Sequence, residues 1–124
     1  TPAVQLYYAF REAINELLEE GLDNRIQRFQ GYATTIRTRL EEWGVKPVLA
    51  PTLQSNTLTA FYLPEGCSYQ RLHDELKRAG YVIYAGQGQL EEKIFRVANI
   101  GALTNKNIEG FLSAFQAMLS GARV

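Results

Sequence analysis

The hydrophobic positions in the first part of the chain repeat with the spacing of an α-helix. Apolar residues recur every three or four positions over residues 3–18, with glutamates on the other side, and again over residues 22–43. Gly21 interrupts the pattern between the two stretches, and Gly44 follows the second, where glycine readily adopts the left-handed conformation that ends a helix. The pattern therefore predicts two long helices, the second with a narrow apolar stripe that lies along a partner surface.

Shorter segments rich in β-forming residues follow. The predicted strands cover residues 45–49, 57–63, 81–85 and 94–101. Pro47 confines the first of them to a sheet edge or a bulge. A third helix is predicted over residues 68–79, capped by Ser68, and a fourth is capped by Thr104 or Asn105. The order α-α-β-β-α-β-β-α predicts an α+β fold, with helices on one face of a small, mostly antiparallel sheet.

The composition limits the classes of function. The 124 residues suffice for one domain with a core, and contents of 46% hydrophobic and 21% charged residues are ordinary for a globular protein. Thirteen basic residues balance thirteen acidic ones, which gives no support for a nucleic-acid or anionic-membrane partner. No apolar run approaches the roughly 20 residues that span a bilayer. The totals therefore favour neither a nucleic-acid-binding protein nor a membrane protein.

Two features bear on the setting and extent of the protein. Cys67 is the only cysteine, so an internal disulfide is impossible, which fits a reducing cytoplasm. No signal peptide is visible. The chain opens with Thr1 and Pro2 and passes directly into a helical pattern. We therefore predict that residues 1–124 are a single domain cut from a longer protein.

Arg96 points most directly to chemistry. It interrupts the apolar strand 94–101, where an unpaired guanidinium is costly to bury. The strand must direct Arg96 to water or supply it with an anion. A guanidinium suits a carboxylate or a phosphonate, because its planar fork donates two parallel hydrogen bonds. Taken alone, the strand favours a structural ion pair or an edge-strand arginine over such an anion site.

The segment just before this strand supplies further candidates. Gly86-Gln87-Gly88 lacks the pattern of a phosphate-binding loop, so a tight or flexible turn is the favoured interpretation. Because the turn ends one strand and precedes the Arg96 strand, we predict that Gly86 and Gly88 border the same cleft. Tyr84, at the end of the earlier strand, is a candidate for reaching a ligand there, although a core or boundary position is the alternative.

Two other reactive residues have ordinary explanations. His73 is followed by Asp74 and Glu75 on the predicted third helix. Adjacent side chains on a helix point in different directions, so a solvated or half-buried histidine is favoured over a metal ligand or a base. Cys67 follows a Pro-Glu-Gly turn, and a loop thiol is favoured over a nucleophile. Because the sequence has no His/Cys cluster, we predict no metal site. The chain alone holds no complete catalytic constellation.

Several segments, taken together and in order, resemble the C-terminal small domain of class V, fold-type I aminotransferases, and the resemblance spans the whole chain. The segments that carry it are Thr1-Pro2-Ala3-Val4, Phe10-Arg11-Glu12-Ala13, Glu20-Gly21-Leu22-Asp23-Asn24-Arg25, Leu40-Glu41-Glu42-Trp43-Gly44-Val45, residues 55–61, Val82-Ile83-Tyr84-Ala85-Gly86-Gln87-Gly88 and Phe95-Arg96-Val97-Ala98-Asn99-Ile100-Gly101. The Asn99-Ile100-Gly101 ending is most similar to 2-aminoethylphosphonate:pyruvate aminotransferases, and an alanine:glyoxylate-type enzyme is the alternative. A free-standing, non-catalytic α/β interaction module is the alternative from another class.

The resemblance implies an enzyme that uses pyridoxal phosphate and transfers an amino group to a 2-oxo acid such as pyruvate. In this family the residue matching Arg96 binds the substrate acid group, and the residue matching Thr1 contacts the cofactor phosphate of the neighbouring subunit of a homodimer. The family's Schiff-base lysine belongs to the large domain, and no lysine of this chain matches it. The resemblance therefore implies that these 124 residues are inactive without the large domain.

The first two predicted helices have more apolar surface than a small sheet can cover. In the intact protein this surface is expected to pack on the large domain or on a second subunit. The isolated domain is therefore expected to self-associate or to leave a contiguous apolar patch exposed.

Overall fold

The computed structural model describes residues 1–121 and confirms the predicted fold class and order of elements. Its helices and strands are α1 (Val4–Glu20), α2 (Leu22–Glu42), β1 (Leu58–Tyr62), α3 (Tyr69–Arg78), β2 (Tyr84–Ala85), β3 (Ile94–Ala98) and α4 (Asn105–Gly121). The predicted end signals act as expected: Gly44 takes a φ of 82° after α2, the Ser68 hydroxyl accepts the Arg71 amide at the start of α3, and the Thr104 hydroxyl accepts the Asn107 amide in α4.

The three strands form an antiparallel sheet in the order β1-β3-β2, so β3 is the central strand. Phe61 of β1 pairs with Phe95 of β3, and their rings stack 5.5 Å apart on the face that the helices cover. Phe115 of α4 continues the stack at 5.7 Å from Phe95. Successive residues of a strand point to opposite faces, so Arg96 projects from the face away from this core.

One core joins this face of the sheet to α2, α3 and α4. Its buried members are Ile36, Leu40, Val45, Phe61, Cys67, Leu72, Leu76, Ile83, Phe95, Val97, Ile108, Phe111, Leu112, Phe115 and Met118. The three helices therefore lie on one face of the sheet, and the other face is left open over Arg96.

All four predicted strands are shorter in the structure than the pattern indicates, and two of them are much reduced. Residues 45–49 form only a single antiparallel bridge, between Pro47 and Phe61, flanked by hydrogen bonds from Val48 to Ala60 and from Tyr62 to Lys46. Proline has no amide hydrogen, so the segment cannot build a regular ladder. The predicted strand 81–85 is reduced to the two residues of β2.

The first helix has no buried side chain. Its exposed apolar residues include Leu6, Tyr7 and Phe10, with 69%, 69% and 65% of their surface accessible. This confirms the expected apolar patch, because Ala3 joins these three side chains around one surface depression. Self-association of the domain stays a prediction. None of the helices described here is long and apolar enough to cross a membrane.

An ion cluster fixes the end of α1 to the rest of the domain. Arg25 and Arg28 each place Nε 2.6 Å from the Glu20 carboxylate, and hydrogen bonds from the two arginines lower the pKa of Glu20 to about 2. Arg28 also donates to the Gly101 carbonyl at 3.0 Å, just after β3. The direction of α1 is therefore set by the cluster at Glu20, since no side chain of α1 is buried.

Gly110 of α4 is expected to resist replacement by alanine. A Cβ at this position would lie 2.1 Å from the Tyr81 hydroxyl, so the overpacking of Gly110→Ala should outweigh alanine's helix preference of about 1 kcal/mol and destabilise the protein by roughly 1–2 kcal/mol. Gly31→Ala in α2 is the matched control, because nothing lies within 4 Å of its added Cβ and it should gain stability. Denaturant unfolding measures both, and combining Gly110→Ala with Tyr81→Phe should remove most of the loss, since only the contact of the added Cβ with Tyr81 Cζ, at 3.3 Å, then remains. An unchanged loss in that double variant would contradict the clash.

Candidate functional site

Arg96 lies at the middle of the central strand, on the open face of the sheet. It pairs with Ala60 of β1 on one side and with Tyr84 of β2 on the other. Paired residues of antiparallel strands share a face, so a small side chain and an exposed aromatic flank the arginine. The sheet therefore presents one half-buried cation between two side chains that carry no charge.

A backbone carbonyl, not an acid, receives the Arg96 side chain. Its Nε donates to the Ala85 carbonyl at 2.8 Å. Arg96 therefore lies beside the Gly86–Gly88 turn, where the sequence predicts a shared cleft. Within residues 1–121, no carboxylate lies within 4.0 Å of Arg96, so the ion pair favoured by the strand alone is absent there. The edge-strand interpretation is wrong as well, because β3 is the central strand.

The remaining donors of Arg96 reach the surface. Its two Nη groups make no hydrogen bond to the described residues, and none of the buried side-chain nitrogens or oxygens in that part of the chain lacks a partner. The Nη groups are therefore accessible rather than buried. The two Nη groups of a guanidinium lie in one plane, so their N–H donors match two oxygens of a carboxylate or a phosphonate.

Comparison with known proteins gives relatives over nearly the whole chain. The chain is 39% identical to the 2-aminoethylphosphonate–pyruvate transaminase of Vibrio cholerae over 87% of its own length, and 32% identical to an uncharacterized aminotransferase of Methanocaldococcus jannaschii over 96%. The alanine–glyoxylate aminotransferase structure from Nostoc sp. superposes with a TM-score of 0.88 at 28% identity over 96% of this chain. No protein-family model matches.

The chain is similar, over nearly its whole length, to one part of these aminotransferases. It spans only 30%, 31% and 32% of the lengths of the three relatives just described. The similarity therefore concerns one domain of a longer protein in each relative.

Two of the predicted cleft residues, Tyr84 and Gly86, lie next to Arg96. Tyr84 is 55% exposed directly opposite Arg96, and Gly86 follows the carbonyl that Arg96 binds. Gly86 is buried because the chain folds back over it: an added Cβ would lie 2.3 Å from the Leu90 carbonyl oxygen. Gly88 takes a φ of 57°, which starts the tight turn that the sequence predicts. The structure thus brings Tyr84 and Gly86 to the site.

Thr1 is placed apart from this group of residues. It is exposed and precedes α1, and its side chain makes no hydrogen bond within residues 1–121. A helix of 17 residues is about 26 Å long, so α1 carries Thr1 well away from the Glu20 junction. A contact between Thr1 and a cofactor phosphate across a dimer stays a prediction.

Tyr69 is a residue of the site that the sequence pattern does not single out, since it only marks the apolar side of α3. The Tyr69 hydroxyl donates to the Ile83 carbonyl at 3.1 Å. Burial raises its pKa, while the Ala85 backbone amide and the positive charge of Arg96 act in the opposite direction. The hydroxyl therefore binds the backbone two residues before Ala85, whose carbonyl holds Arg96.

Asn99 follows β3 and ties the end of this strand to its surroundings. Its side chain is 1% exposed, and Nδ2 donates to the carbonyls of Phe29 in α2, at 3.1 Å, and Asn56, at 2.9 Å. Its backbone amide donates to the Thr57 carbonyl at 2.9 Å. The asparagine that marked the family resemblance thus fixes β3, and with it Arg96, to the second helix.

His73 is half-buried, as the sequence predicts, and its ring packs 5.6 Å from that of Tyr69 at the margin of the site. Its Nδ1 lies 3.0 Å from the carboxylate of its neighbour Asp74. Cys67 lies in the loop before α3, as the sequence predicts, but its side chain packs in the core, and burial raises the pKa of the thiol. Among residues 1–121, no group of three His, Cys, Asp or Glu side chains is placed to hold a metal ion.

Proposed function

We propose that this chain is the C-terminal small domain of a longer aminotransferase that depends on pyridoxal phosphate, and that Arg96 holds the acid group of its substrates. The observation that carries the proposal is the accessible Nη pair of Arg96 on the open face of the sheet. The chain spans about 30% of relatives that are aminotransferases. This share supports the proposal that the chain is one domain of a longer enzyme.

The lysine that holds the cofactor is proposed to lie outside this chain. Its lysines, Lys46, Lys77, Lys93 and Lys106, are all exposed, which does not fit a lysine that holds a cofactor in an enclosed pocket. Pyridoxal phosphate, when bound to the large domain, supplies the electron sink of transamination. The small domain is proposed to orient the substrate. Arg96 binds the acid group and so holds the carbon that carries the amino group at a fixed distance from the cofactor. Thr1 of one subunit is proposed to contact the cofactor phosphate of the other.

The proposed reaction transfers the amino group of 2-aminoethylphosphonate, or of a similar donor, to a 2-oxo acid such as pyruvate. The transaminases of Vibrio cholerae and Bacillus cereus, at 39% and 36% identity, support this donor. An alanine:glyoxylate-type reaction is the second candidate, supported by the Nostoc enzyme at 28% identity. Both reactions present an acid group to Arg96, so the fork alone does not separate them.

Steady-state assays of the full-length protein separate the candidates. 2-Aminoethylphosphonate and L-alanine are each offered as donor, with pyruvate and glyoxylate as acceptors. The proposal expects the highest kcat/KM for 2-aminoethylphosphonate with pyruvate. A higher value for alanine with glyoxylate selects the second candidate, and no transfer between any of these pairs overturns the proposed reaction.

The isolated 124-residue chain is expected to be inactive. Because its lysines are exposed and none matches the family's cofactor lysine, borohydride reduction in the presence of pyridoxal phosphate should label no single site. Mass spectrometry of the reduced protein measures the labelling, and the full-length protein serves as the positive control. Stoichiometric labelling of one lysine, together with turnover, would contradict this prediction.

The exposed face of α1 is the proposed contact with the rest of the enzyme. Leu6, Tyr7 and Phe10 form an apolar surface that the small domain does not cover. We assign it to the large domain of the same polypeptide or to the second subunit of a homodimer.

The enzyme is proposed to work in the cytoplasm, where the single thiol of Cys67 stays reduced. If Thr1 directly followed a start codon, a free-standing interaction module would be the better assignment.

A further inference from the structure

The backbone of Ala85 faces the free edge of the sheet. The amide of Gly86 donates to the Ile94 carbonyl at 3.2 Å, so residue 86 is turned towards β3. In an antiparallel ladder successive residues alternate between facing the neighbouring strand and facing away from it. The amide and carbonyl of Ala85 therefore point outward, and this outward carbonyl is the one that accepts Nε of Arg96 at 2.8 Å.

Tyr69 holds the same short stretch of backbone from the helix side. Its hydroxyl donates to the Ile83 carbonyl at 3.1 Å, two residues before the carbonyl that holds Arg96. The next turn of α3 is anchored by Leu72, which is fully buried. Since β2 has only two residues, its ladder supplies few hydrogen bonds, and the tyrosine connects it to a rigid element.

We propose that Tyr69 is a positioning residue for Arg96, acting through the Ala85 backbone. The hydroxyl fixes residues 83–85, the Ala85 carbonyl holds Nε, and the guanidinium is thereby turned so that both Nη groups face the substrate acid. Without the hydroxyl the guanidinium keeps its charge but loses its fixed direction, so the two parallel hydrogen bonds form less often. This inference rests on the proposed role of Arg96 as the acid clamp.

The test is the Tyr69→Phe variant of the full-length enzyme. Its kinetic constants are measured with an amine that carries an acid group and with an amine that does not. Ethylamine is the acid-free counterpart of both 2-aminoethylphosphonate and alanine. We expect KM for the acid-bearing donor to rise about 3- to 10-fold, because one neutral hydrogen bond is lost. We expect kcat to change by less than about twofold. The kcat/KM for ethylamine, followed by the change in cofactor absorbance, should not move, whereas a general structural defect lowers both amines alike.

Tyr81→Phe is the matched control, because it removes a tyrosine hydroxyl from the same segment but at the contact with Gly110 of α4. It should leave KM for both amines unchanged. Equal losses for acid-bearing and acid-free amines in Tyr69→Phe, or no change in either, overturn the positioning role. If Arg96→Lys lowers acid selectivity and Tyr69→Phe does not, the inference about Tyr69 is wrong and the proposed function stands. If Arg96→Lys leaves acid selectivity intact, both fail.

Discussion

Replacing Arg96 with lysine is expected to lower kcat/KM for the acid-bearing amino donor by on the order of 30- to 1000-fold in the full-length enzyme. The loss corresponds to roughly 2–4 kcal/mol of binding to the acid group. Lysine keeps the charge, but its ammonium is a point charge that cannot reproduce two parallel hydrogen bonds. It also has no group equivalent to the Nε that the Ala85 carbonyl holds at 2.8 Å.

Steady-state kinetics with 2-aminoethylphosphonate and alanine measure this loss, and ethylamine gives the background without an acid group. Cofactor content should stay at the level of the unmodified enzyme, because the large domain is proposed to bind pyridoxal phosphate. Arg78→Lys is the matched control, since Arg78 is a largely exposed arginine whose one ion pair within residues 1–121 is with Glu75 on its own helix. A variant that keeps full kcat/KM, or loses the cofactor while substrate affinity holds, would show that Arg96 is not the acid clamp.

Replacing Asn99 with aspartate is expected to destabilise the protein by about 2–5 kcal/mol at neutral pH. The asparagine is buried, and its amide donates to the carbonyls of Phe29 and Asn56. An ionised carboxylate of the same shape donates to neither and faces their oxygens. The change therefore leaves two carbonyls without their donor and places an unpaired charge in the interior.

The loss in Asn99→Asp should depend on pH in a defined direction. Burial beside two carbonyls raises the pKa of the new carboxyl above its unfolded value of about 3.9. The folded variant is therefore most stable below that value and loses stability as the pH rises through the folded-state pKa. Urea unfolding at pH 4 and pH 7 measures the difference.

The exposed variant Asn107→Asp is the control for this change. It makes the same substitution but keeps an oxygen that accepts from Thr104 at the start of α4, so it should cost little. Equal stabilities of the two variants at both pH values would rule out the structural role of Asn99.

The long helices could be predicted from the sequence, because their apolar spacing persists over many turns and Gly21 and Gly44 mark where it stops. The lengths of the strands could not. A strand extends only as far as a neighbour offers hydrogen bonds, and that neighbour is set by the tertiary fold. The pattern of residues 45–49 alone predicts a strand. Because Pro47 has no amide hydrogen, the segment forms only a single bridge.

The candidate site shows the same division. Arg96 could be found from the sequence, because a charge inside an apolar strand is a conflict that some contact must resolve. Tyr69 and Asn99 carried no such conflict. A tyrosine on an apolar helix face and an asparagine after a strand are ordinary, and their roles depend on which carbonyls the fold brings beside them. Only the folded structure supplies that information.

The outward backbone of Ala85 has a consequence for the behaviour of the domain when the rest of the enzyme does not cover it. The free edge of a sheet is a template on which strands of other molecules add, and aggregation begins there. At β2 this edge has the Ala85 carbonyl occupied by Arg96 and the Ile83 carbonyl occupied by the Tyr69 hydroxyl. At the opposite edge Pro47 offers no amide hydrogen. The contacts proposed to orient the acid clamp therefore also leave the folded sheet with fewer free edge groups on which another strand could add.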